Sequence, residues 1–245
     1  EYLNIEISSI EELIGRGRNK IIIEQVPLEK ISDYAMSNAD ITLQLSKILE
    51  KKLIEQKLFE FYSKIEIPLI SVLLKIEYNG TFVDAGILEN MSNNLGAQLK
   101  ELVTDIYRLS GTEFNINSTQ QLANILFDKL ELPQIKKRST AEDILKQLQI
   151  YHELPKHILE YRKYNKLKNT YVDALPELIN KDTRRIHSTF NQAIAATGRL
   201  SSKNPNFQNI PIRSEEGKEI RKAFRSQKDG WKILSADYSQ IELRI

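Results

Sequence analysis

The residues with the clearest chemical potential stand near the end of the chain, in the sequence SADYSQIELRI. The apolar run at residues 231–236 predicts a buried strand that places Asp237 at its carboxyl end, and Glu242 follows five residues later. A carboxylate at a strand end can bind Mg²⁺ through hard oxygen ligands, together with neighbouring backbone carbonyls. One carboxylate is not a complete metal site, so a capping or salt-bridging role for Asp237 stays open.

A second group of residues could bind a polyanion. In the segment LEYRKYNKLKNTY, the cations Arg162, Lys163, Lys166 and Lys168 alternate with tyrosines on a predicted helix. Cations beside aromatic rings suit the backbone of duplex or single-stranded nucleic acid. The alternative is a helix whose tyrosines pack inward while its cations stay solvated, and composition alone favours that alternative.

A third basic group, Lys136-Lys137-Arg138, lies in a predicted loop between two helices. The loop is well placed for phosphate, although a solubilising loop explains the same residues equally well. The charge of the whole chain supports a polyanion in this half. Residues 1–133 hold 13 Lys and Arg against 20 Asp and Glu, a net −7, whereas residues 134–245 hold 22 against 13, a net +9.

Composition excludes several classes of site and compartment. The chain of 245 residues has no cysteine, which removes disulfides, thiol nucleophiles and cysteine-bound zinc. Its three histidines share no metal-ligand spacing. The first residues lack the pattern of a signal peptide, and no apolar run is long enough to span a membrane. We expect a cytoplasmic, nucleoid-associated protein.

The helices that must position these residues can be read from apolar spacing. Amphipathic patterns predict helices over residues 33–57 and 85–109, and the continuous apolar pattern of residues 59–78 predicts a largely buried helix. The sequences Ser118-Thr-Gln-Gln and Ser139-Thr-Ala-Glu each fit the capping box, in which the serine caps the amide three residues later. Both therefore predict a helix start.

The remainder of the chain predicts extended structure. Residues 187–194 alternate like a sheet strand, and an irregular stretch rich in Asn, Pro and Ser follows. The chain stops within the apolar pattern of Ile241, Leu243 and Ile245, which indicates an incomplete molecule.

Three motifs occur in an order and spacing that together resemble the family A DNA polymerases of the bacterial polymerase I type. They are TGRLSS at residues 197–202, PNFQNIP at 205–211 and DYSQIELR at 237–244. The segments GTEFNINSTQQLANILFDKL and ILEYRKYNKLKNTYVDALP resemble the thumb of that family. VPLEKISDYAMSNADITLQL is similar to the last motif of its 3′→5′ exonuclease domain. The resemblance covers essentially the whole chain.

The resemblance implies a catalytic role for the last motif. Asp237 would bind two Mg²⁺ ions with help from the backbone carbonyl of Tyr238, so that the primer 3′-hydroxyl is activated and the leaving group steadied. Glu242 would crowd the sugar 2′ position and select deoxynucleotides. Gln240 would belong to the nucleotide or primer–template site.

Further positions are implied to contact DNA or nucleotide. Arg199 would reach the minor-groove edge, where hydrogen-bond acceptors lie in similar places for every correct base pair. Gln208 and Asn209 would line the DNA, and Arg213 would lie near the incoming nucleotide. The thumb positions implied to approach the duplex backbone are Lys136, Lys137, Arg162, Lys166 and Lys168.

Three departures from the family pattern limit these expectations. The nucleotide-binding fingers and the second metal carboxylate are absent, so we expect no polymerase turnover by this chain alone. The exonuclease-like motif that begins at Tyr34 has Asn38 where editing enzymes place a metal-binding Asp, and an amide lacks the required charge. Asp40 would face elsewhere on its helix. The thumb-tip segment at residues 135–139 is also short.

The sequence therefore predicts a predominantly helical α+β fold. Residues 1–55 would end an α/β exonuclease-like domain, residues 56–180 would form a helical thumb and its base, and residues 181–245 would open the antiparallel palm of a right-hand polymerase. The predicted function is template-directed DNA synthesis in replication and repair, by a monomer that uses primer–template DNA, deoxynucleoside triphosphates and Mg²⁺. The alternatives are a non-catalytic duplex-binding module and a Mg²⁺-dependent phosphohydrolase.

Overall fold

The computed structural model describes residues 2–6, 8–212 and 214–244, and the chain divides into two compact units after Leu73. The described residues are mostly helical with small antiparallel sheets, which confirms the predicted fold class. None of the helices in these ranges is both long enough and apolar enough to cross a membrane. The predicted domain boundaries at residues 55 and 180 stay predictions.

The first unit contains helices and turns in its described ranges. Helix α1 spans Ile10–Ile14, short 3₁₀ turns follow at Gly17–Asn19 and Ile23–Gln25, and helix α2 spans Leu28–Glu55. Helix α2 confirms the helix predicted over residues 33–57, but it begins five residues earlier, directly after Pro27. A proline tolerates this position because the first amides of a helix lack an intrahelical acceptor.

The apolar segment after α2 is helical, as predicted, but its predicted burial is wrong. Helix α3 spans Phe59–Phe61, a π-helical turn covers Tyr62–Glu66, and helix α4 spans Ile67–Asn79. Within α4 only Leu73 is buried, whereas Ile70 and Leu74 are more than half exposed. An apolar helix is buried only where other elements cover all its sides, and the sequence does not say which elements do so.

The second unit begins within α4, at Leu74. Strand β1, Thr81–Phe82, and helix α5, Ala85–Ser110, follow, and α5 confirms the predicted helix over residues 85–109. The side chain of Asp84 caps α5 by accepting hydrogen bonds from the amides of Gly86 and Ile87, at 3.0 and 3.3 Å. Gly111 ends the helix with a φ of 63°, a left-handed conformation that glycine adopts without steric cost.

The two predicted capping boxes have different outcomes. Helix α6 spans Thr119–Ala123, and the Ser118 hydroxyl accepts from the amide of Gln121 at 3.3 Å, as predicted. A π-helical turn at Asn124–Lys129, strand β2 at Ile135–Arg138 and helix α7 at Glu142–Leu148 follow. The second box is wrong, because the Ser139 hydroxyl accepts from the amide of Ala141 and α7 begins only afterwards. Serine readily forms such local turns in place of a cap.

Helix α8, Leu154–Leu167, continues through a π-helical turn at Lys168–Val172 into helix α9, Ala174–Glu177. Pro155 lies in its first turn, and Leu154 and Ile158 are fully buried. The buried residues of the second unit form two clusters. The first joins α8 to α6, α7 and the end of α5; the second joins the π-helical turn after α8 to the start of α5 and to later segments.

The strands of the second unit are short. Strand β3, Arg185–Ile186, pairs antiparallel with β1, and strand β4, Thr189–Asn191, pairs antiparallel with β5, Ser201–Lys203. The strand predicted over residues 187–194 is therefore found as the shorter β4. A 3₁₀ turn at Phe207–Asn209 and helix α10, Glu215–Lys222, complete the packed part of the unit.

The buried strand predicted over residues 231–236 is wrong. These residues pair with no strand in the described part of the chain and are exposed, with Leu234 exposed by 91%. A strand exists through ladder hydrogen bonds to a neighbour, so an apolar run without a neighbour is only an extended segment. Helix α11, Ile241–Arg244, follows.

Candidate nucleic-acid interface

Three cations of the predicted basic segment, Arg162, Lys163 and Lys166, lie on α8. Leu154, Ile158 and Leu167 recur at helical spacing and pack into the core, which leaves Lys163 and Lys166 on the exposed side and Arg162 half-buried between the two. Tyr171 is buried and the cations are accessible, an arrangement that fits both interpretations of this segment, so the nucleic-acid interpretation stays a prediction.

A groove of about 740 Å³ runs along this side of α8. We call it the cation groove. It brings the thumb positions Arg162 and Lys166 together with Asn209 of the PNFQNIP motif, although these segments are more than forty residues apart in sequence. Two further cations that the sequence did not single out, Lys146 and Lys156, also line it. Neither has a distinctive pattern in the sequence, and only the packing of α7 against α8 locates them.

The cations of the groove differ in whether a carboxylate already neutralises their charge. Lys146 pairs with Glu142 at 2.6 Å, and Lys163 pairs with Glu216 at 2.7 Å. Lys156 and Lys166 make no side-chain hydrogen bond or ion pair with another described residue. Lys166 lies near enough to Glu142 for its charge to help lower the pKa of that carboxyl, after the larger contribution of Lys146. Lys166 is thus available to an added anion.

Arg162 is the most constrained cation of the groove. Its guanidinium donates to the backbone carbonyl of Thr140 at 2.6 Å and to the Thr140 hydroxyl at 3.4 Å. Burial lowers the pKa of the guanidinium below its ordinary value, and both of these Thr140 acceptors are uncharged. A half-buried guanidinium held by neutral acceptors keeps its charge for a phosphate, which it can bind through two N–H groups.

Lys168, which the sequence assigned to the DNA backbone, has a different environment. Its side chain is 23% exposed, and its ammonium donates to Asp173 at 2.8 Å and to the Ser92 hydroxyl at 2.5 Å. These contacts join α5 to the π-helical turn after α8. We therefore leave Lys168 out of the proposed DNA-contacting set.

The thumb-tip cations lie on β2. Lys136 and Lys137 are exposed and make no side-chain hydrogen bond with the rest of the described chain. Arg138 instead donates to Asp128 at 2.7 Å and to Asn124 at 2.8 Å, and its hydrogen bond lowers the pKa of Asp128. Arg138 thus holds the tip against the π-helical turn at Asn124–Lys129, while the two lysines project outward.

The PNFQNIP motif folds into the 3₁₀ turn at the far end of the cation groove. Asn206 caps this turn by accepting from the amide of Gln208 at 2.9 Å, and the buried Ser202 hydroxyl accepts from the amide of Phe207 at 3.2 Å. Gln208 and Asn209 are exposed, and the Gln208 amide group donates to the carbonyl of Leu200 at 2.7 Å. The turn is rigidly held while it presents both predicted DNA-lining residues.

The other predicted nucleotide-site residues that the structure describes do not line the cation groove. Arg199 is exposed, and Arg213 lies outside the described residues. Asp237, Tyr238, Gln240 and Glu242 are all exposed. Within the described ranges, no group of three or more His, Asp or Glu side chains is arranged so that it could hold a metal ion.

The exonuclease-like motif lies in the first unit, on α2. The side-chain amide of Asn38 donates to the carbonyl of Tyr34 at 2.9 Å, and Asp40 accepts from Gln44 at 2.7 Å. Both groups make contacts within their own helix. A cavity of about 420 Å³ is lined by Tyr34 and Asp40, among others, but not by Asn38.

Comparison with known proteins gives a consistent result. The model of the family described as DNA polymerase family A matches residues 85–245. DNA polymerase I of Pseudomonas aeruginosa is 47% identical over the whole chain, and that of Chloroflexus aurantiacus is 44% identical over 97% of it. The chain spans only 28% and 26% of these relatives.

A solved structure is also similar. It is described as the POL domain of Pol1 from M. smegmatis in complex with DNA primer-template and dNTP. It is 39% identical, with a TM-score of 0.75, over 82% of this chain and 36% of that one.

Proposed function

Because this chain belongs to DNA polymerase family A, we propose that it is part of a DNA-directed DNA polymerase and holds primer–template DNA along the cation groove. The observation that carries the proposal is the meeting of Arg162 and Lys166 with Asn209 in one groove. The similar mycobacterial structure contains primer-template and dNTP, which supports the same partners for this chain.

The groove supplies positive charge that would bind DNA of any base sequence. Lys166, Lys156 and the guanidinium of Arg162 neutralise backbone phosphates, which displaces counterions and positions the duplex but reads no base. Lys136 and Lys137 extend this surface at the thumb tip. At the other end of the groove, Gln208 and Asn209 offer amide groups to the DNA. Arg199 precedes β5 in the sequence, whereas these two residues follow it.

Phosphoryl transfer is proposed for the parent polymerase, meaning the longer protein of which this chain would be a part. Within this chain, the segment that begins at Asp237 would take part in it. In this proposal Asp237 contributes one carboxylate and Tyr238 a carbonyl toward Mg²⁺, which neutralises charge on the transferred phosphoryl group when bound. Glu242 excludes ribonucleotides by crowding the 2′ position, and Gln240 and Arg213 belong to the nucleotide site. Because the described residues form no complete metal site, no catalytic step is assigned to this chain alone.

Primer extension by the parent polymerase tests this assignment. Asp237→Ala should lower kcat by roughly a thousandfold while leaving the Kd for primer–template unchanged, since a metal ligand contributes several kcal/mol to the transition state. Asp229→Ala is the matched control, because Asp229 is also an exposed aspartate of the same region. In the same assay Glu242→Ala should incorporate ribonucleotides more readily. Normal extension by Asp237→Ala would remove Asp237 from the site.

A non-catalytic duplex-binding module is the second candidate. It is favoured by the presence of the groove together with the lack of a metal-ligating cluster among the described residues. Under this alternative the parent protein binds primer–template but does not extend it. No observation on the described residues favours the phosphohydrolase alternative.

The proposed cellular setting is replication and repair by a monomer in the cytoplasm, associated with the nucleoid. Sedimentation of the parent protein with and without DNA tests the monomer, and survival of a deletion strain after DNA damage tests the repair role.

A further inference from the structure

The buried Tyr171 makes a contact that links two parts of the proposed DNA site. Its hydroxyl donates to the backbone carbonyl of Asn209 at 2.5 Å, across 38 residues of sequence. We propose that Tyr171 is a positioning residue, which fixes the Gln208–Asn209 turn for its contact with primer–template. This inference rests on the proposed function of the cation groove.

The ring and the hydroxyl of Tyr171 have separate roles. The ring is 93% buried and belongs to the cluster that includes Leu167, Leu175 and Ile210. Phenylalanine would fill the same space, so the ring's contribution to stability does not require the oxygen. The hydroxyl reaches out of this cluster to the carbonyl of Asn209. A Tyr→Phe exchange therefore removes one hydrogen bond with little change in packing.

The position of Tyr171 along the helix connects its hydrogen bond to the cation groove. Tyr171 lies in the π-helical turn that continues α8 without a break, five residues after Lys166. The same helical rod thus presents Lys166 to one part of the cation groove and holds the backbone of Asn209 at another. The distance between the phosphate-binding cation and the amide-bearing turn is set by one rigid element.

The turn is held from its other side by Ser202, whose hydroxyl accepts from the amide of Phe207 at 3.2 Å. Ser202 lies on β5, whereas Tyr171 extends the thumb helix. Ser202 fixes the beginning of the turn and Tyr171 fixes its end. Without the Tyr171 hydroxyl the carbonyl at the end of the turn loses this hydrogen bond, while the fold around it remains.

The test uses Tyr171→Phe in the parent polymerase. A hydrogen bond of ordinary strength predicts that KM for primer–template rises about fivefold, with kcat changed by no more than about twofold. Tyr164→Phe is the matched control. Tyr164 lies on the same helix, but its hydroxyl bonds only to Glu160, one turn away, at 3.2 Å. Equal KM values for Tyr171→Phe and wild type, or an equal rise in Tyr164→Phe, would overturn the proposal.

A double-mutant cycle separates positioning from a general loss of stability. If Tyr171 acts through the turn, Asn209→Ala should raise KM by itself, and adding Tyr171→Phe should raise it little further. Effects that multiply in the double variant, or no effect of Asn209→Ala, would show that Tyr171 does not act through this residue.

Amide hydrogen exchange over residues 205–211 provides a readout without DNA. Exchange should be faster in Tyr171→Phe and unchanged in Tyr164→Phe, because only the first variant releases the turn. If the wild-type parent fails to extend primers, the proposed function fails, and the exchange rates still decide whether Tyr171 orders the turn. Unchanged exchange in Tyr171→Phe would contradict the inference.

Discussion

Helix α8 and the segment at residues 231–244 both carry residues of the family motifs, yet the structure treats them differently. Helix α8 has one fully packed side, with Leu154 and Ile158 at 0% exposure, and its cations project from a fixed frame. The later segment contains Asp237 and Glu242, but its apolar residues are exposed. A motif thus identifies which residues could do chemistry, whereas packing decides whether the chain holds those residues in a fixed position.

The largest change is expected in the free energy of unfolding, because α8 is packed on one side whereas the apolar residues of 231–244 are exposed. Ile158→Ala should lower the free energy of unfolding by about 2–5 kcal/mol, because it leaves a cavity in a close-packed core. Leu234→Ala, a matched removal of aliphatic groups at 91% exposure, should change it by less than about 0.5 kcal/mol. Urea denaturation of this chain measures both values. Similar losses in the two variants would mean that residues 231–244 are packed after all.

A smaller effect is expected on the salt dependence of DNA binding, where Lys166 on α8 and Lys168 in the π-helical turn after it should differ. Lys166→Ala should reduce the salt dependence of DNA binding by a slope of about 1, since Lys166 has no ion-pair partner among the described residues. Lys168→Ala should leave that slope unchanged, because its ammonium is engaged by Asp173 and Ser92. The opposite ranking of these two lysines would return Lys168 to the DNA-contacting set.

The smallest effect concerns the ion pair of Lys168. Burial pushes the pKa of Asp173 upward, but hydrogen bonds from Lys168 and Ser92, with the charge of Lys168, hold it below its ordinary value of 3.8. A lowered carboxyl pKa stabilises the fold above the unfolded pKa, and this stability disappears as pH falls through the folded pKa. Since the side chain is 40% exposed, we expect less than about 1 kcal/mol.

The variant Asp173→Asn tests the predicted direction in which stability changes with pH. Its stability deficit relative to wild type should be fully present at neutral pH, should begin to shrink as pH falls past the ordinary pKa of 3.8, and should vanish only below the lowered pKa of the folded state. Unfolding free energies measured at several pH values give the difference directly. A deficit that grows toward acid would contradict the ion pair.

The sequence predicted those features that depend on local patterns. Helix α5 and the capping role of Ser118 were both predictable, because helical spacing and a cap act within a few residues. The start of α7 was not, because Ser139 could satisfy its hydroxyl in a local turn as well as in a cap. The exposure of Ile70 and Leu234 was also not predictable, since apolar periodicity gives a tendency to be buried but not a covering partner.

The candidate site shows the same limit. The motifs identified Arg162, Lys166 and Asn209 individually, and the tertiary packing placed them in one groove. Lys168 resembled its neighbours in sequence, but its rotation on the helix turns it toward Asp173. Tyr171 counted only as one of several interleaved tyrosines, because a hydrogen bond across 38 residues has no local signature.

If the cation groove binds the nucleic-acid backbone, the binding of DNA by this chain must depend on salt. The affinity for a primer–template duplex should fall linearly on a log–log plot, with a slope between about −2 and −4 for the available cations. Lys47→Gln, which removes an exposed cation from α2, should leave the slope unchanged. A flat response to salt would contradict the account.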